Sequence, residues 1–204
     1  MRTAVLQKLN LTLSVCGHKL AVLRIRGGRE DAPELVFLHE GLGSVSHWKH
    51  FPARVAEVTG CPVTVYSRYG SGNSDLLNEP HSVRYMHDEA LQSLPELLSQ
   101  LEIENPILVG HSDGASIAII HAGVHSRVRG LVLLAPHVFV EDLSVASIAE
   151  ARVNFETTNL PESWRGIIGT QRGRFGDGTI SGWIRRFGAG ISRSICRGSP
   201  ARAC

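Results

Sequence analysis

Pro106-Ile107-Leu108-Val109-Gly110-His111-Ser112-Asp113-Gly114-Ala115 is the stretch that decides the fold. Ile107 to Val109 form a short, wholly apolar run, as expected of a strand covered on both faces. Ala115 to His125 reads as a buried helix. Between them Gly110-His111-Ser112-Asp113-Gly114 fits the pattern G-x-S-x-G. A turn this sharp leaves no room for side chains at the glycine positions. It holds the serine in a strained conformation with its hydroxyl exposed at the strand's end. The helix starts directly behind it, so its first amides and its dipole favour negative charge there.

Outward from this turn the same rhythm repeats. Leu35-Val36-Phe37-Leu38, Pro62 to Tyr66 and Gly130 to Ala135 are further buried strands. Helical stretches are predicted over 48–58 and 83–101, the second with Leu91, Leu94, Leu98 and Leu101 on one side and Pro95 as a kink or break. At the front, Leu9, Leu11, Leu13 and Val15 alternate, and Leu20, Val22 and Ile25 resume after Gly17-His18, which predicts a hairpin. Apolar strands alternating with helices mean an α/β protein with a mostly parallel sheet and helices on both faces. One more helix is predicted over 141–157.

Composition sets the outer bounds. The chain has 204 residues, 43% of them apolar and 20% charged, enough for one core. No run of 18 apolar residues exists, so no membrane span is expected. The first eight residues lack the apolar stretch of a secretory signal. Cys16, Cys61, Cys196 and Cys204 show no close pairing and read as scattered thiols of a reducing, cytoplasmic compartment. The net charge of +2 hides a split. Through residue 160 there are thirteen Lys and Arg against seventeen Asp and Glu. Beyond it stand eight arginines, no lysine and two acids, with nine glycines in 44 residues. Two regions are therefore expected: a core over 1–160 and a basic, Gly/Arg-rich, poorly ordered tail over 161–204.

The chain resembles the α/β-hydrolase family over about residues 5–160. Four segments carry the likeness, in the family's order. His39-Glu40-Gly41-Leu42-Gly43-Ser44 follows a strand like the family's His-Gly oxyanion loop, with Glu40 where glycine is usual. Trp48 follows it at a familiar spacing. Arg68-Tyr69-Gly70-Ser71-Gly72-Asn73-Ser74 is similar to the family's R-G-x-G-x-S loop. The serine turn and the strand ending Leu134-Ala135-Pro136 complete the set. The resemblance implies an α/β-hydrolase fold, with the start of a cap over 138–160, and acyl transfer to water from a small, ester-like substrate. Ser112 would be the nucleophile. Asp113 would supply one oxyanion N–H, and Gly41 or Leu42 the other. His39, Glu40, Trp48 and His111 would stand at the substrate pocket. No metal or organic cofactor is called for. His121 and His125, four apart on a helix, have no third ligand near them in sequence.

A serine hydroxyl needs a base. The family places an acid and then a histidine late in the chain. Here His121, His125 and His137 are the only histidines after Ser112, and none follows 137. Six strand-like segments stand where the family has eight. A truncation or frameshift near 158–166 is the expectation, with impaired catalysis as its consequence. His137, after the strand beside the serine turn, is the stand-in base. Asp142 or Glu141 is the stand-in acid. Two alternatives stand beside the hydrolase. One is a non-catalytic pseudo-hydrolase or small-molecule-binding module. The other is nucleic-acid binding through the tail arginines, which carry no recognised motif. An exposed sheet edge where strands are lost would favour self-association.

Overall fold

The computed structural model describes residues 6–139 apart from 27, 30, 79, 80 and 83. The predicted helix over 141–157, Asp142, Glu141 and the tail with its boundary at 160 lie outside these residues. Backbone contacts divide the chain into two units. One comprises Met1–Leu76 and Met86–His137, the other Leu77–Tyr85 and Val138–Cys204. In the second, the His81 and Tyr85 rings lie 5.0 Å apart.

The first unit holds a six-stranded sheet. Its strands are β1 (Gln7–Val15), β2 (His18–Arg26), β3 (Leu35–Leu38), β4 (Val63–Tyr66), β5 (Ile107–His111) and β6 (Gly130–Leu134), in the order β1-β2-β4-β3-β5-β6. β1 pairs antiparallel with β2, and β2 antiparallel with β4. β4, β3, β5 and β6 run parallel. The predicted hairpin turns at Cys16-Gly17, where both residues take positive φ. Alternation sorts the side chains of β3 to opposite faces. Leu35 and Phe37 join the cluster packed by helix α1 (Phe51–Thr59), with Ala56, Val63 and Val65. Val36 and Leu38 join the cluster of Leu94, Leu97, Leu108 and Ile117, under α3 (Leu94–Gln100) and α4 (Asp113–Val124). Helices thus cover both faces, as an apolar parallel sheet requires.

Two helical predictions change in detail. The stretch expected over 48–58 is a 3-10 turn, Val45–Trp48, then α1. Lys49 at φ 50° breaks them apart, and Pro52 suits the first turn of the new helix, where no N–H is needed. The stretch expected over 83–101 becomes α2 (Tyr85–Asp88), a π turn (Glu89–Ser93) and α3. The widened π turn falls just before Pro95, whose ring nitrogen cannot donate to a regular ladder.

One expectation is corrected. The sequence reads Gly130 to Ala135 as a buried strand, yet Leu131, Val132, Leu133 and Leu134 are 37–48% exposed. β5 is the only strand paired with β6 among the described residues, so the outer edge of β6 has no strand beside it there. An all-apolar run announces burial without saying which neighbours supply it.

Candidate active site

β5 delivers the chain into the turn and α4 carries it away. Ser112 sits between them at φ 53°, ψ −117°, a region that side-chain-bearing residues rarely occupy. The two glycines make the turn possible. A Cβ on Gly110 would stand 2.5 Å from the Ala115 Cα, and one on Gly114 would stand 2.7 Å from the His39 carbonyl oxygen. The Ser112 amide donates to the Leu134 carbonyl at 2.8 Å, which ties the turn to the end of β6. The amides of Ala115 and Ser116 donate to the Ser112 carbonyl and start α4. Asp113, the first residue of that helix, is 2% exposed.

After β6 the chain reverses at Ala135, which has φ 48°. His137 thereby comes over the serine turn. Ser112 Oγ and His137 Nε2 are 2.9 Å apart, within hydrogen-bond reach for proton transfer. Ser116 fixes the histidine backbone. Its hydroxyl accepts from the His137 amide at 2.9 Å and donates to the His137 carbonyl at 2.9 Å. Sequence reasoning missed Ser116. It lies inside an apolar helical run and belongs to no motif. Among the described residues no carboxylate is hydrogen-bonded to the His137 ring.

The loop after β3 stands beside this turn, with Gly114 packed against the Leu38 and His39 carbonyls. Gly41 and Leu42 occupy the centre of a tight turn closed by the Gly43 amide donating to the Glu40 carbonyl at 3.0 Å. Neither central amide donates to another described group. The Glu40 side chain lies across Gly43, where a Cβ would come 2.8 Å from the carboxyl carbon.

His39 was placed at the pocket by its sequence position. It is 0% exposed and holds the loop from inside. Its Nε2 accepts from the Arg68 amide at 3.1 Å, which leaves the proton on Nδ1 to donate to the Glu40 carbonyl at 2.6 Å. Burial first, and then the Arg68 charge, hold its pKa well below the ordinary histidine range and keep the ring neutral.

Trp48 and His111 do come together, with ring centroids 6.4 Å apart. Trp48 also meets Phe37 edge-on at 5.1 Å. His111 is exposed, whereas the Trp48 indole nitrogen is buried with no hydrogen-bond partner. His121 is 3% exposed and donates from Nδ1 to the Ala90 carbonyl at 2.8 Å, joining α4 to the π turn. Among the described residues no three His, Cys, Asp or Glu side chains gather as a metal site. Cys16 and Cys61 are free thiols. No helix among these residues is long and apolar enough to cross a membrane.

A strand-ordered α/β sheet with a strained serine between β5 and its helix defines a hydrolase-type scaffold. The chain belongs to the alpha/beta hydrolase family, whose sequence profile matches residues 35–201. It is 28% identical over 133 residues to a proline iminopeptidase of Lactobacillus delbrueckii subsp. lactis, which covers 62% of this chain and 45% of that protein. It is 31% identical over 128 residues to the sn-1-specific diacylglycerol lipase ABHD11 of Danio rerio, covering 63% and 37%. The chain thus spans less than half the length of these curated relatives. Among solved structures it is similar to the haloalkane dehalogenase DbeA from Bradyrhizobium elkani, with TM-score 0.59, 26% identity and coverage of 78% of this chain and 54% of that one. A second is an AqdC variant in complex with the Pseudomonas quinolone signal, with TM-score 0.63 and 18% identity, covering 88% and 69%.

Proposed function

We propose that this chain is a serine hydrolase that transfers an acyl group from a small, ester-like molecule to water. Ser112 is the nucleophile and His137 the base. The Asp113 amide and one amide of the Glu40–Gly43 turn receive the negative charge that develops on the carbonyl oxygen. The observation that carries this reading is the 2.9 Å contact between Ser112 Oγ and His137 Nε2 at a strained serine. In the forward step the Ser112 oxygen bonds to the acyl carbon while its proton passes to Nε2. His137 then gives that proton to the leaving alkoxide. Water repeats the sequence on the acyl-enzyme. Nucleophile, base and N–H donors suffice for this chemistry, so it calls for neither metal nor organic cofactor. A serine in place of a carboxylate at the turn speaks against dehalogenation.

Turnover is impaired in this proposal. No carboxylate among the described residues orients the His137 ring, and a histidine base without one loses up to about 10⁴-fold in kcat. The free thiols fit a reducing, cytoplasmic setting. The test is phosphonylation by a fluorophosphonate together with hydrolysis of a short p-nitrophenyl ester. Both occur in the wild type and both vanish in Ser112→Ala. The second reading, a binding module that kept the pocket, is favoured by the lack of a described carboxylate on His137. Folded wild-type protein that neither labels nor turns over decides for it.

A further inference from the structure

The buried pair Arg68 and Glu89 has no part in the mechanism above, yet both side chains are less than 10% exposed. Arg68 follows β4 and reaches across to the loop after β3. Its Nη1 donates to the His39 carbonyl at 2.6 Å, and its Nη2 to the Glu40 carbonyl at 2.9 Å. One guanidinium thus grips two consecutive carbonyls, which only a planar fork of donors can do. Its backbone amide holds the His39 ring as well.

The grip on Glu40 has a directional consequence. The Glu40–Gly41 peptide is planar and trans, so its C=O and N–H point opposite ways. Arg68, the His39 Nδ1–H and the Gly43 amide together hold that carbonyl, so the Gly41 N–H is turned away from them, and no other described group takes it. That selects Gly41 over Leu42 as the amide whose direction the fold controls.

A buried guanidinium needs a counter-charge. Glu89, in the π turn, supplies it without a direct ion pair. Its Oε1 accepts from the Tyr66 hydroxyl at 2.7 Å, at the end of β4 two residues before Arg68. Burial holds the Glu89 carboxyl above its ordinary value, and the Arg68 charge and the Tyr66 hydrogen bond offset part of that rise.

We infer that Arg68, with Glu89 as its buried counter-charge, is a positioning residue that aims the Gly41 N–H as an oxyanion donor. The inference rests on the serine-hydrolase reading. Misplacing a reacting group by about 1 Å costs about 100-fold, and losing one oxyanion donor costs about 100- to 1000-fold. Loosening the loop should therefore slow phosphonylation of Ser112 by about 10- to 100-fold.

The experiment uses the full chain and three proteins: wild type, Arg68→Lys, and the double variant Arg68→Met/Glu89→Gln. The double variant removes both buried charges together, so no lone charge is left to unfold it. Fluorophosphonate labelling of Ser112 is timed per folded molecule, p-nitrophenyl ester kinetics are split into kcat and KM, and amide exchange is followed over residues 39–43. The expected result is slower labelling, lower kcat with KM unchanged, and faster exchange at 39–43 in the double variant, with Arg68→Lys intermediate. A merely structural role would reduce the folded fraction and leave the rate per folded molecule intact, which overturns the inference. Slower labelling with unaltered exchange at 39–43 overturns it too. Should the double variant not fold, Arg68→Lys decides alone, and wild-type labelling in it overturns the inference. A folded wild type that does not label brings down the serine-hydrolase reading first and this inference with it.

Discussion

Ser116 holds His137 by both backbone groups of a single residue, and that grip is what keeps an exposed histidine over Ser112. Removing the hydroxyl in Ser116→Ala deletes two hydrogen bonds worth about 0.5–1.5 kcal/mol each. The expected outcome is about tenfold slower phosphonylation of Ser112, restored in large part by Ser116→Thr, with the thermal midpoint lowered by only a few degrees. Unchanged labelling in Ser116→Ala would show that His137 is placed by something else. At this scale the sequence was legible where chemistry forces spacing. Gly110 and Gly114 exist because no side chain fits, and they locate Ser112 without any structure. His137 was named from sequence only as a stand-in base, because a histidine just past the neighbouring strand can come to the same rim, and its Nε2 lies 2.9 Å from Ser112 Oγ. Arg68 was legible as the first residue of a loop motif, but its grip on the loop after β3 was not, and neither Ser116 nor Glu89 was legible at all. Each acts on a partner 21 to 29 residues away in sequence, and no local pattern encodes such a contact. His39 shows the converse: its position after β3 was clear, but only packing reveals that its ring faces inward.

Elements were read well wherever one period ran unbroken. β3 and β4 are buried along their whole length and β5 at its centre, Leu108 to Gly110, and the front hairpin turns at its glycine. Boundaries failed where backbone chemistry interrupts a helical pattern. The leucines from 91 to 101 keep a common face, but Pro95 widens the turn before it, and the Ala90 carbonyl there accepts from His121. Leu91, Leu94, Leu98 and Leu101 all meet one core cluster despite the π turn, so periodicity alone passes over it. β6 failed differently. Its composition resembles that of β5, yet its side chains are exposed among the described residues, and hydropathy alone does not say which neighbours cover a strand.

For the whole molecule the strand order and the position of the serine between β5 and α4 agree with the family assignment, while the chain spans under half of its curated relatives. Its stability should depend on pH through two buried histidines. Burial lowers the pKa of both His39 and His121. In the unfolded chain a histidine titrates at about 6.5. The unfolded state therefore binds more protons than the folded one below that pH, and stability falls as the pH falls. The stabilisation is full above about 6.5 and is lost on going down toward the folded values. Urea midpoints at pH 7.5 and 5.5 should differ more for the wild type than for His39→Gln, and equal differences would contradict the assignment of His39 as a buried neutral ring. The central claim is that His137 activates Ser112. The most direct measurement is the rate of fluorophosphonate labelling of Ser112 at neutral pH in the wild type and in His137→Gln. The account predicts Ser112-specific labelling of the wild type and at least about a 100-fold slower rate in the variant. Equal rates in the two folded proteins, or no labelling of the wild type, would contradict it.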